Sequence, residues 1–197
     1  MKLTIVGSII LGLVSVPIAR IKKPRFFWGS AGLDPISFLW MISFFLFGPK
    51  GAFLSSIIGA IGIAKLSTEK TPRLGASLKF IGTMCVWGSM TIMLFGFSLP
   101  YTGKTLNNLN IFIPFAFLSA IVRCLVEIPL CVLAIPYFLT VSRGEKITTS
   151  QMIEEFGGLK GYLWKMVLLN FWLTFLDTAI PWVLTYPTGI YSYSATW

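Results

Sequence analysis

Arg123 and Glu127 lie four residues apart in an almost uninterrupted apolar stretch that runs from Asn107 to Val141. One helical turn brings two such side chains together as an ion pair. Burying either charge alone in hydrocarbon costs roughly 2.5 to 3.5 kcal/mol on insertion scales, so the pair is expected to face a bundle interior or a wet cavity. It has two interpretations, a functional site or a structural clamp between neighbouring helices.

Two further polar side chains, Asn170 and Asp177, lie in a second apolar stretch that runs from Tyr162 to Tyr186. Their spacing places them near one face of a helix, two turns apart. An Asn in such a stretch often joins helices by hydrogen bonding, whereas an unpaired Asp is rarer and indicates a functional site. Both residues are therefore candidate site residues, and the helix-joining alternative stays open for Asn170.

The residue types argue against catalysis. The sequence contains no histidine, which is the commonest general base and the commonest metal ligand. No HExxH or GxSxG motif occurs, and the cysteines lack CxxC spacing. We therefore expect no catalytic residue, no metal and no cofactor. An intramembrane lipid-modifying enzyme that uses Glu127 or Asp177 as a general base is the least favoured alternative.

The composition indicates a polytopic membrane protein. Apolar residues make up 55% of the 197 residues and charged residues 12%, whereas a soluble domain carries about 25% charged residues. Short polar intervals favour one integral membrane domain over residues 1–197, multi-pass in the cell membrane, with any ATPase on another chain. The net charge of +9 lies at the ends of apolar runs, which favours contact with the lipid bilayer over nucleic acid.

The apolar runs predict an all-α bundle of six transmembrane helices. The second and third helices form a short hairpin around the turn at residues 48–51, and each arm is about 20 Å long against a hydrocarbon core of about 30 Å. Prolines at 114, 129 and 136 are expected to start, kink or end the long fifth helix. The predicted spans are 3–19, 35–47, 51–64, 79–99, 109–141 and 161–186.

Local motifs predict two further features. Thr148 and Gln151 fit a capping box that opens a short helix, which Gly157 and Gly158 would end.

The first span is expected to be a retained helix and not a signal peptide. It carries small residues at spacings that let another helix approach closely, either within the chain or on a partner chain. This small-residue stripe consists of Ser8, Gly12, Ser15 and Ala19.

Three stretches, in this order and spacing, resemble the substrate-binding S-component of energy-coupling factor (ECF) vitamin transporters, particularly the riboflavin-type group. The first is LDPIS at residues 33–37, which leads to FLFGPKG at residues 45–51. The second runs from IVR at residues 121–123 to PYF at residues 136–138. The third is LNF at residues 169–171.

The resemblance implies a substrate pocket near the outer face of a six-helix bundle. It also implies that the bundle sits on a separate membrane coupling subunit driven by two ATPase chains, with the small-residue stripe as the docking face. Asp34, Arg123 and Asn170 are the ligand-pocket candidates that the resemblance supplies. Riboflavin-type members carry a Lys three residues after the last-helix Asn, and this chain has Leu173 there, so a ligand other than riboflavin is expected.

The polar candidates need an apolar cover if they bind a small molecule, because such sites combine few polar groups with apolar walls. Trp87, and with it Trp40 or Trp172, is the expected cover. The predicted substrate-binding residues are therefore Asp34, Trp87, Arg123, Glu127, Asn170 and Asp177. A small accessory or assembly subunit of a larger membrane complex is the alternative function, in which the same charges bind protein.

The distribution of basic residues conflicts with the resemblance over orientation. Six crossings place twelve Lys and Arg side chains, those within residues 20–25, 65–79 and 143–165, on one side of the membrane, and only Lys2, Lys50 and Lys104 on the other. The positive-inside rule makes the side with twelve basic residues cytoplasmic, whereas the family orientation makes it external. In the family orientation, basic outer loops would favour an anionic ligand. In the other orientation, the resemblance is accidental or covers the fold alone.

Overall fold

The computed structural model describes residues 2–20, 34–66, 71–99 and 103–186. Every regular element in these ranges is an α-helix, so the predicted all-α class is confirmed for the part of the chain that is described. The helices are α1 (Lys2–Arg20), α2 (Pro35–Leu66), α3 (Pro72–Gly96), α4 (Gly103–Leu106), α5 (Leu109–Arg143), α6 (Thr149–Glu155) and α7 (Gly158–Thr185).

Four of these helices, α2, α3, α5 and α7, are long and apolar enough to cross a membrane. A shorter apolar helix covers Thr4–Ala19. These lengths and compositions indicate a membrane protein. At 1.5 Å per residue, α5 extends about 52 Å and α7 about 42 Å, whereas the hydrocarbon core is about 30 Å thick. Both helices must therefore tilt or extend beyond the hydrocarbon.

The helix α2 folds back on itself at Gly48. This residue has φ 77° and ψ −170°, a left-handed conformation that glycine adopts without a steric penalty. A Cβ atom on Gly59 would lie 2.7 Å from Nε1 of Trp40, although a straight helix would separate these residues by about 28 Å. The two arms, residues 35–47 and 51–66, are about 20 to 24 Å long. Six separate membrane crossings therefore stay a prediction.

The small-residue stripe of α1 packs against α2 within the chain. A Cβ on Gly59 would overlap the Ser15 hydroxyl, and one on Gly12 would lie 3.0 Å from an Ile58 side chain. Ser8 and Ser15 are fully buried, and Ala19 packs against a small core cluster of α1, α2 and α3. Because α2 already covers this face, a partner chain would have to approach α1 from another side.

The helices α2, α3, α5 and α7 pack in a ring, in that order, and α1 lies on α2 outside it. The main core cluster draws on all four and on α4. At one end of the helix bundle, the aromatic side chains of Phe112 and Trp182 stack with their centroids 4.4 Å apart. Trp182 Nε1 donates a hydrogen bond of 2.8 Å to the Leu106 carbonyl oxygen. These contacts fix the start of α5 against the end of α7.

Helix α3 differs from the sequence expectation at its start, whereas α5 keeps close to the predicted 109–141 span. Helix α3 begins at Pro72 and not at residue 79, because proline at the first helical position needs no hydrogen-bonded N–H and already has a helical φ. Helix α5 runs through Pro114, Pro129 and Pro136 as one helix. It ends where Gly144 adopts a left-handed φ of 77°, so none of the three prolines terminates it.

The predicted capping box at the start of α6 is confirmed. The Gln151 N–H donates to the Thr148 hydroxyl over 3.3 Å, and Gln151 Oε1 accepts a bond of 2.9 Å from the Thr148 N–H. The chain then turns through Gly157 and Gly158, which have φ values of 89° and 77°. This turn passes the chain directly into α7.

Replacing Thr148 with alanine is expected to loosen α6, because losing an N-cap side chain costs about 1 kcal/mol of helix stability. The measurement is amide hydrogen exchange, which should accelerate roughly fivefold for residues 151–155. The control is Ser150→Ala, at an exposed position of the same helix. Equal exchange rates in the two variants would contradict a role for the cap.

Candidate functional site

Five charged side chains from four helices meet inside the bundle. Asp34 lies at the start of α2, Lys79 on α3, Arg123 and Glu127 on α5, and Asp177 on α7. We refer to these five residues as the charged cluster. It ties together α2, α3, α5 and α7, the helices that form the ring.

Arg123 lies between two carboxylates. Its Nε atom is 2.9 Å from Glu127 Oε1, so the predicted pair forms. Its Nη1 atom is 3.4 Å from Asp177 Oδ2 on the neighbouring helix. The Arg123 and Glu127 side chains are 14% and 15% exposed, and that of Asp177 only 5%. One cation is thus shared by two acids in a nearly dry environment.

The second ion pair of the cluster joins Asp34 to Lys79. Asp34 also begins α2, since its Oδ1 accepts a bond of 3.2 Å from the Ile36 N–H and its carbonyl oxygen accepts one from Phe38. The Asp34 charge interacts with those of Arg123 and Asp177. The two ion pairs therefore form one electrostatic unit.

Gly82 on α3 makes room for this unit. A Cβ atom at Gly82 would overlap the Glu127 carboxylate and lie 3.1 Å from Arg123 Nε. Gly82 and Lys79 are site residues that the sequence did not predict. A signal was available, because the two lie three residues apart on one face of an apolar helix, and a glycine facing charged side chains permits close approach.

Several buried polar atoms have no hydrogen-bond partner. Among the described residues these include Asp177 Oδ1, Asn170 Nδ2 and Trp87 Nε1. Arg123 Nε also makes no aligned hydrogen bond, despite its short distance to Glu127. An unsatisfied buried polar group costs about 1 to 3 kcal/mol. Such atoms therefore indicate positions where a ligand or bound water would complete the hydrogen bonding.

The structure brings together four of the six predicted substrate-binding residues, namely Asp34, Arg123, Glu127 and Asp177. Trp87 lies in the main core cluster, about 7.5 Å along α3 from Gly82. Asn170 lies about 10.5 Å along α7 from Asp177. The two other candidate rings lie elsewhere. Trp40 is fully buried within the α2 hairpin and Trp172 is 52% exposed.

A second Arg and Glu pair lies outside the apolar bundle. Arg143, at the end of α5, forms two hydrogen bonds with Glu155 of α6, from Nη1 over 2.8 Å and from Nη2 over 3.2 Å. Both side chains are about half exposed. The hydrogen bonds from Arg143 lower the pKa of the Glu155 carboxyl, because they favour its charged form.

Replacing Arg143 with alanine is expected to raise the pKa of Glu155 towards the ordinary glutamate value. The lowered pKa means that this pair stabilises the α5 to α6 junction above the ordinary pKa, about 4.3, and that the contribution is lost as the pH falls through the lowered value. Titration of the ¹³C-labelled carboxyl by NMR measures the shift. Lys146→Ala is the control, and an unchanged Glu155 titration in Arg143→Ala would contradict the pairing.

The cluster can recognise a polar ligand by charge and hydrogen bonding. In the described ranges, no three His, Cys, Asp or Glu side chains are grouped so that they could hold a metal ion. The cysteines at 85, 124 and 131 are free thiols.

Comparison with known proteins finds no matching family model, no matching curated protein and no matching solved structure. We therefore infer the function from the residues of the site.

Proposed function

We propose that the chain is the substrate-binding membrane subunit of a vitamin or micronutrient uptake transporter in the cell membrane, energised by separate ATPase and coupling subunits. The observation that carries the proposal is Asp177, which is 3% exposed and has an oxygen, Oδ1, without a hydrogen-bond partner. It lies among charges that four helices supply. A few convergent polar groups in apolar surroundings are typical of small-molecule sites.

The positions of the resembling stretches support the same proposal. Asp34 belongs to the first stretch and Arg123 to the second, and their charges interact in the folded chain although they are far apart in the sequence. Asn170, in the third stretch, lies two turns from Asp177 along α7. All three stretches thus supply side chains at or near the charged cluster.

In this proposal the chain binds and presents the ligand, and partner chains supply the energy. The polar part of the ligand would contact the cluster between α5 and α7, the helices that carry Arg123 and Asp177. Its apolar part would contact the surrounding bundle, where burial of apolar surface contributes roughly 25 cal/mol per Å². The energising chains would be a membrane coupling subunit and two ATPase chains.

An accessory or assembly subunit of a larger membrane complex is the second candidate. The observation that favours it is the pairing within the cluster. Lys79 forms an ion pair with Asp34, and Arg123 forms ion pairs with Glu127 and Asp177. A buried pair that joins neighbouring helices can fix their register without binding any ligand. In this alternative the cluster is a clamp, and partner chains contact the outer helix faces.

Affinity purification of the tagged chain from its own membrane distinguishes the two candidates. The proposal predicts two ATPase chains, a membrane coupling subunit and a bound small molecule. The tagged Arg123→Ala variant should recover the same chains without the small molecule, and the Arg143→Ala control should recover both. A large unrelated complex without any small molecule would overturn the transporter proposal and favour the accessory subunit.

A further inference from the structure

We infer that the molecule bound at the charged cluster presents a cationic N–H group, such as a protonated amine, to Asp177 Oδ1. This inference rests on the proposed function and specifies the chemical class of its substrate. It follows from three features of the site. These are the balance of charge around Arg123, the free oxygen of Asp177 and the ion pair that the second cation, Lys79, forms with Asp34.

The balance of charge around Arg123 is negative. Its guanidinium group is shared by the carboxylates of Glu127 and Asp177, so with all three groups ionised the site carries a net charge of −1. Charge interactions are strong in a poorly solvated interior, and an uncompensated buried charge is costly. A ligand cation would neutralise this excess, whereas a ligand anion would add to it.

The free oxygen of Asp177 defines what the ligand must offer. An ionised carboxylate accepts hydrogen bonds and cannot donate them, so its partner has to be a donor. Oδ1 has no hydrogen-bond partner, whereas the carboxyl group also interacts with the Asp34 backbone and its Oδ2 is 3.4 Å from Arg123 Nη1. This distance exceeds the roughly 2.7 to 2.9 Å of a strong charge-assisted bond. Asp177 therefore retains capacity for a second cation.

The second cation of the cluster does not offer an alternative site for an anion. Lys79 is ion-paired with Asp34, and this pair is neutral in itself. Arg123 is likewise occupied on two sides. An anion bound to either cation would add a further negative charge to a cluster whose carboxylates already outnumber its cations. The basic loops in the sequence predict an anionic ligand. The charged cluster, in contrast, favours a cationic one.

The test is native mass spectrometry of the purified full-length chain with a defined mixture of micronutrients. The mixture contains a molecule with a protonated amine (pyridoxamine), a cation whose charged nitrogen carries no hydrogen (thiamine), neutral molecules (riboflavin and pyridoxine) and anions (biotin and pantothenate), together with the small molecules that co-purify. The variant is Asp177→Asn, which keeps the side-chain shape, removes the excess charge and leaves Arg123 paired with Glu127. Glu155→Gln is the matched control in the exposed pair.

Wild-type protein is expected to retain a molecule with a cationic N–H group, with affinity at least tenfold weaker in Asp177→Asn and unchanged in Glu155→Gln. The wild-type result decides the question even if the variant is poorly folded. Retention of thiamine, a neutral molecule or an anion alone would overturn the inference and leave the proposed function in place. If the protein retains no molecule from the mixture and none co-purifies with it, the proposed function and the inference are both overturned.

Discussion

The Arg123→Ala variant is expected to lose about 3 to 5 kcal/mol of stability, since removing one partner of a buried ion pair leaves the other charge uncompensated. Here two carboxylates, Glu127 and Asp177, would remain side by side without their shared cation. Thermal unfolding of the purified protein in one detergent measures the loss. Under the proposed function, the variant should also lose the small molecule that is expected to co-purify with the wild type.

The matched control is Arg143→Ala, which removes an arginine from the same helix and breaks its pair with Glu155. That pair is about half exposed, and exposed ion pairs contribute little to stability because water and salt screen them. Arg143→Ala should therefore unfold near the wild-type temperature and keep its ligand. Wild-type stability in Arg123→Ala would show that the cluster is not a buried, coupled unit.

The Gly82→Ala variant is expected to be destabilised by about 1 to 3 kcal/mol, the usual cost of overpacking a well-packed interior. The added methyl group would overlap the Glu127 carboxylate and crowd Arg123 Nε at 3.1 Å. Because the carboxylate is held by Arg123, it cannot move aside without opening the ion pair. Thermal unfolding and small-molecule retention are the measurements, and both should fall.

Gly88 provides the control on the same helix. A Cβ atom there would meet no other atom within 4 Å, and alanine in a helix interior is favoured over glycine by roughly 0.5 to 1 kcal/mol. Gly88→Ala should therefore match or exceed wild-type stability. If Gly82→Ala also gained stability, the close approach of α3 to the Arg123 and Glu127 pair would be contradicted.

Features that depend on neighbouring residues could be predicted from the sequence. The pair of Arg123 and Glu127 needs only one helical turn, and the capping box at Thr148 needs only the four residues that form it. The turn at Gly48 follows from a glycine before a proline between two apolar runs. Each of these is local, so its geometry is set before the helices pack.

Features that depend on how helices pack could not be predicted. The pairing of Lys79 with Asp34 and the contact of Arg123 with Asp177 require α2, α3, α5 and α7 to meet at one level. The spacing of apolar residues does not specify which membrane-spanning helices are neighbours, because several faces of such helices are apolar. The role of Gly82 is hidden for the same reason, since a glycine matters only once its neighbour is known.

Ligand binding at the charged cluster can be seen in an experimental density map of the purified chain with its retained micronutrient. We expect density for the molecule between α5 and α7, with a donor atom about 3 Å from Asp177 Oδ1, a normal hydrogen-bond distance. Arg123 should stay in contact with Glu127 in that map. Density for the molecule at another place, with only water at Asp177, would rule out this binding site and make the charged cluster a structural clamp.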